Sequence, residues 1–88
     1  MAVTVYVLKS HRSGRRYVGI TGDLGRRLRE HASGRSGGGR LSGGFALIHT
    51  EEYPDYETAR VRERFLKSGQ GRKWLDETEA GSRPAGGG

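Results

Sequence analysis

Within the first 31 residues the spacing of apolar side chains changes from a period of two to a helical period, and each pattern dictates a different backbone. Val3, Val5 and Val7 alternate with Thr4, Tyr6 and Leu8, which predicts a strand with one apolar face. His11 to Arg15 (HRSGR) is turn chemistry with Gly14 at the tip, and Arg16 to Ile20 (RYVGI) is a second short strand that carries Tyr17. Thr21-Gly22-Asp23 then offers an N-cap ahead of LGRRLREHA, and Gly34 supplies a stop. On that helix Leu24 and Leu28 mark the buried stripe, while Arg27 and His31, one turn apart, fall on its flanks. Two strand tyrosines, an arginine and a histidine are thereby placed to converge near one edge of a small sheet.

The rest of the chain completes an α+β pattern. Residues 32–44 (ASGRSGGGRLSGG) form a polar, glycine-rich connection whose only charges are Arg35 and Arg40. FALIHT, from Phe45, predicts a third strand, central or covered on both faces, with His49 as a structural or surface histidine. Tyr53-Pro54-Asp55 breaks the chain and caps a helix from Tyr56 to Ser68, whose Ala59, Val61, Phe65 and Leu66 span a broad apolar arc. Glu63 sits at the edge of that arc; read from the helix alone, it is a salt-bridge partner for Arg60 or Lys67. Gly69 ends this helix, and Gly71 to Glu79 is a short last one whose Trp74 and Leu75 close the core. The expected order is β-β-α-β-α-α, a small three-stranded antiparallel sheet flanked by helices, in one domain over residues 1–79 with a glycine-rich tail at 80–88.

Composition narrows the partners. The chain has 88 residues, 16 of them glycine, and 32% hydrophobic, so its core must be small. It has no cysteine, which excludes disulfides and thiolate metal sites, and only three histidines, which disfavours structural zinc. No apolar run approaches membrane-spanning length and Met1-Ala-Val-Thr lacks a signal peptide's basic start, so a cytoplasmic protein without a membrane partner is expected. The net charge is +6, and 13 of the 16 cationic side chains are arginine, whose planar donor fork suits phosphate. Arg26, Arg35, Arg40, Lys67, Arg72 and Lys73 are candidates for contacts to a polyanion.

The ordered set Val5-Tyr6-Val7, Tyr17-Val18-Gly19, Arg27, His31 and, downstream, ETARVRERFLKSGQGRKWL resembles the GIY-YIG nuclease domain, over about residues 3 to 76. That family includes the nuclease of the bacterial excision-repair incision subunit, some phage homing endonucleases and many small stand-alone bacterial proteins. The resemblance implies an endonuclease acting on DNA rather than RNA, structure- or damage-related, and the lack of a recognition helix or zinc finger argues for little sequence specificity alone. It also implies that Glu63 matches the glutamate that holds the metal, a single Mg²⁺ or Mn²⁺. Only one carboxylate lies in the constellation, which disfavours a two-metal mechanism. Arg27 would bind the scissile phosphate, and Tyr6, Tyr17 and His31 would position the water and take its proton. The resemblance implies a tyrosine-assisted base, whereas on ordinary pKa values His31 is the better one.

Three features depart from the family pattern. Thr4 stands in place of the first motif's glycine, Ile20 in place of a lysine after the second motif, and the chain has no asparagine, which larger members use near the metal. The competing functions are a nucleic-acid-binding module without efficient catalysis, and a nuclease subunit whose target is chosen by a protein partner.

Overall fold

A computed structural model describes residues 2–33 and 44–81. The order is β1 (Val3–Ser10), β2 (Arg16–Thr21), α1 (Leu24–Ala32), β3 (Phe45–Tyr53), α2 (Tyr56–Lys67) and α3 (Gly69–Gly81). The three strands form one antiparallel sheet in the order β2-β1-β3. This is the expected β-β-α-β-α-α architecture. Arg35 and Arg40 lie outside the described residues.

The central strand is β1, and this corrects two expectations. FALIHT belongs to an edge strand that continues to Tyr53, and its residues are half-buried or exposed rather than covered on both faces. It is β1 that is buried on both faces. Val3, Val5 and Val7 pack with Ala59, Leu66 and Leu75 of α2 and α3, whereas Tyr6 and Leu8 pack under Leu24 and Leu28 of α1. The alternation of β1 therefore separates two cores, one aliphatic and one bearing Tyr6, instead of core from solvent.

Local chemistry sets the turns and helix ends. Gly14 adopts φ +74°, the left-handed conformation that closes the β1–β2 hairpin. Asp23 caps α1 by accepting from the Arg26 amide at 3.0 Å, and Asp55 caps α2 by accepting from the Thr58 amide at 2.7 Å. The break between α2 and α3 is a single residue, Ser68, so α3 starts at Gly69 rather than Gly71. Ser68 ends α2 with an extended backbone, and its hydroxyl accepts from the Gly71 amide at 3.1 Å to begin α3. So tight a corner leaves no room at position 71, where a Cβ would lie 1.9 Å from the Phe65 carbonyl oxygen. Val61 is a further correction. It is 67% exposed, because two residues at about 100° each carry it to the far side of α2 from Ala59.

On the α2/α3 face a charged cluster replaces part of the apolar contact. Arg62 donates to both oxygens of Glu51, Nε to Oε1 at 2.8 Å and Nη2 to Oε2 at 3.0 Å, and its guanidinium lies 4.6 Å from the centre of the Trp74 ring. His49 Nε2 is 2.7 Å from Glu51 Oε2, and the Tyr53 hydroxyl donates to Oε1. His49 is thus structural, its ring edge-on to Trp74. Burial works against the charge on Glu51, but the hydrogen bonds from Arg62, His49 and Tyr53 outweigh it and hold the carboxyl at about 2. A folded pKa below the unfolded one gives stability that is complete above the ordinary value of 4.5 and drains as pH falls toward 2. Glu51→Gln is therefore expected to lose about 3 kcal/mol at pH 7. Urea unfolding of the two proteins between pH 7 and pH 2 checks this, since their stabilities should converge at the acid end. Parallel curves at all pH values refute it.

Candidate active site

On the opposite face of the sheet, the register of β1 with β2 sets Tyr6 beside Gly19 and Leu8 beside Tyr17, so both tyrosines share the face covered by α1. The Tyr6 ring reaches across β2 because position 19 has no side chain. A Cβ on Gly19 would stand 2.5 Å from the Tyr6 hydroxyl and 2.6 Å from the ring carbon bearing it. The glycine of the second motif is thus the floor on which the tyrosine of the first motif lies. Position 4, by contrast, makes no such demand: no described residue other than glycine has a positive φ, and Thr4 sits in regular strand pairing.

Leu24 and Leu28 seat α1 so that Arg27 and His31 both face the tip of Tyr6. Arg27 Nε donates to the Tyr6 hydroxyl at 3.3 Å, and that hydroxyl is 3.1 Å from His31 Nε2. A guanidinium can only donate, so the phenol oxygen accepts from Arg27 and its own proton is available to the imidazole. Burial, with the charge of Arg27 adding to it, lowers the His31 pKa, while Glu30 opposes the change. The imidazole is therefore neutral at pH 7 and able to take a proton. Arg27 is held in its charged form, first by the bond to Tyr6 and then by Glu30, whose Oε1 accepts from Nη1 at 2.9 Å. His31 also packs against Phe45 of β3, 6.2 Å between ring centres.

Tyr17 lies at the boundary between the two faces. It packs against the Tyr6–Leu8 core and also lines an open cleft of about 1060 Å³ along the β2 edge, with Arg15, Arg16, Leu66, Lys67 and Arg72 among the other walls. Arg16 is neutralised there by Asp76 and Glu79. Lys67 and Arg72, two of the candidate polyanion contacts, thus line the same cleft as Tyr17. Lys73, exposed on α3, is not part of its lining, and Arg26 points outward, 3.5 Å from Glu30.

Glu63 lies on α2, the helix of the other face, close to the buried Ala59–Leu66 stripe, and its side chain is only 17% exposed. Lys67 Nζ donates to its Oε2 at 2.9 Å, so the salt bridge read from the helix is formed. Lys67 lines the cleft beside Tyr17, whereas Glu63 itself is not among the cleft walls and is linked to it only through this ion pair. Ile20, at the position of the missing lysine, packs into the aliphatic core. The cleft supplies other cations, Lys67 and Arg72 among them. Lys67 is a candidate polyanion contact from sequence, whereas the parts played by Gly19 and Glu30 are not foreseen there. The glycine was in view within its motif, but Glu30 carries no signal beyond its spacing of three from Arg27.

As for a metal, no cluster of three or more His, Asp or Glu side chains exists among the described residues. A lone and partly shielded carboxylate can supply one ligand to a hydrated divalent cation that completes its shell with water and phosphate oxygen, with the Lys67 ammonium displaced from it. It does not fit a fully caged ion.

A family model described as the GIY-YIG catalytic domain matches residues 2–75. The chain is similar to the solution NMR structure of the UPF0213 protein BH0048 from Bacillus halodurans, at 33% identity over 93% of this chain and 89% of that one, with a TM-score of 0.57. No curated protein matches it. GIY-YIG nucleases generally depend on a divalent metal, and a nuclease domain implies a nucleic-acid substrate. With a tyrosine, arginine and histidine joined on one face, a second tyrosine in a basic cleft and the motifs in order over residues 2–75, this chain belongs to the GIY-YIG catalytic domain family of nucleases.

Proposed function

We propose that the protein is a divalent-metal-dependent endonuclease that hydrolyses phosphodiester bonds in DNA, with little sequence preference of its own. The observation that carries this reading is the Tyr6 hydroxyl held between Arg27 Nε and His31 Nε2. That arrangement joins a permanent cation to a neutral base, the two groups a phosphoryl-transfer site needs at one phosphate.

The two tyrosines divide the work. Tyr6 is 3% exposed and its hydroxyl is engaged by Arg27 and His31, so it is a positioning residue. Tyr17 lines the cleft and is the tyrosine placed to meet the attacking water or the substrate. Arg27 binds the scissile phosphate and opposes the charge that builds on it. His31 takes the proton, its ring held in place by the Tyr6 hydroxyl. Glu63 would hold the metal in place of its ion pair with Lys67, and the ion would supply Lewis-acid stabilisation of the phosphoryl oxygens.

A structure-related substrate is favoured by where the cations stand. Arg27 belongs to the α1 side, Lys67 and Arg72 to the cleft bordered by α2 and α3, with Tyr17 between them. A phosphate backbone that touches all of them turns around the β2 edge. Duplex DNA, with a persistence length of about 150 base pairs, resists so sharp a turn, whereas an unpaired strand does not.

The test is incubation of the purified protein with linear, nicked, branched and single-stranded DNA and RNA, with Mg²⁺, Mn²⁺ or EDTA. Cleavage that needs metal and favours DNA with unpaired strands is the expected result. Tight binding without cleavage under every condition would establish the binding-module reading instead. Cleavage that appears only when a protein partner is added would establish the partner-dependent subunit.

A further inference from the structure

We infer that Glu30 is a positioning residue that fixes the Arg27 guanidinium, holding Nε on the Tyr6 hydroxyl and leaving Nη2 to face a phosphate; this rests on the nuclease reading for its catalytic meaning. An acid beside the arginine that receives phosphate is unexpected, because its charge repels the substrate. Its geometry explains its presence. Arg27 Nη1 donates to Glu30 Oε1 at 2.9 Å while Nε donates to Tyr6 at 3.3 Å, so two sides of the planar fork are anchored at once. Those are the hydrogen bonds of the Arg27 side chain among the described residues, and Nη2 takes part in neither. The other Glu30 oxygen lies 3.5 Å from Arg26 Nε, which keeps the carboxylate on this side of α1.

The anchor is needed because the arginine is not otherwise confined. Its side chain is 38% exposed, and a long flexible stem at that exposure samples many rotamers. With Glu30 in place the guanidinium is oriented before substrate arrives, which favours the transition state, while the negative charge weakens ground-state attraction of phosphate. The two effects act on different kinetic constants. Loss of the carboxylate should therefore lower kcat and lower KM together, a split that simple loss of structure does not produce.

The experiment uses Glu30→Gln and Glu30→Ala in the full chain. Glu30→Gln keeps an oxygen that can accept from Nη1, and Glu30→Ala keeps none. On the best substrate of the panel, Glu30→Ala is expected to lower kcat about tenfold and KM severalfold, with Glu30→Gln in between on kcat. NMR without any substrate gives the second readout. Solvent exchange of the Arg27 Nε proton should speed up in Glu30→Ala and less so in Glu30→Gln, and the His31 titration should move to lower pH in both, since Glu30 opposes its depression. Unchanged Arg27 exchange and an unchanged His31 titration in both variants overturn the inference. A wild type that cleaves nothing, yet shows both NMR changes in the variants, leaves the anchor standing and removes the nuclease reading. A raised KM with unaltered kcat also overturns it, because Glu30 would then be assisting ground-state binding.

Discussion

Glu63→Gln is expected to reduce cleavage to an undetectable level while the protein stays folded and binds DNA equally well or more tightly. The glutamine keeps the size of the side chain but removes the charge that a divalent cation requires. It also removes a negative charge beside Lys67, which lines the proposed phosphate path with Tyr17 and Arg72. The folded state loses one helical i,i+4 ion pair, worth about 0.5 kcal/mol or less, so circular dichroism and urea unfolding should scarcely change. Single-turnover cleavage in Mg²⁺ and in Mn²⁺, with binding measured in Ca²⁺, separates the effects. Unaltered turnover in the glutamine variant would rule out the single-ion assignment.

Arg27→Ala tests whether the arginine acts on the reaction or only on binding. A charge that meets phosphate mainly in the transition state should affect rate more than affinity, and the expected loss is about a hundredfold or more in kcat. The variant also removes the donor on the Tyr6 hydroxyl and the like charge near His31, so the His31 titration should rise toward its ordinary value. Arg27→Lys restores charge without a fork that can bridge Tyr6 and Glu30 simultaneously, and should recover only part of the rate. A binding module makes the opposite forecast: affinity falls in both variants, and there is no metal-dependent rate to lose.

What sequence alone determined about this protein is what short-range physics controls. A period of two in Val3–Leu8, a glycine at the hairpin tip, aspartates at positions 23 and 55 ahead of apolar-striped segments, and leucines at positions 24 and 28 each constrain a few neighbouring residues. Those constraints were enough for the element order and for the convergence of Tyr6, Arg27 and His31, because one hairpin and one adjoining helix build that triangle. Tertiary structure decided the rest. Whether β1 or β3 is central is a question of pairing between distant segments, and both strands carry enough apolar residues to read as buried. Alternation identified two faces of β1, but only the seating of α1 on one and of α2 and α3 on the other showed that both are cores. Val61 looked apolar enough for the core and was left outside by helical geometry, while Ser68 and Gly71 compressed two helices into one corner through a contact that spacing does not show. At the site, two of the cations that share the cleft with Tyr17 come from distant helices, Lys67 from α2 and Arg72 from α3. The reason is that a side chain's partners depend on which surfaces are brought together, and those surfaces are chosen by the burial of the whole chain.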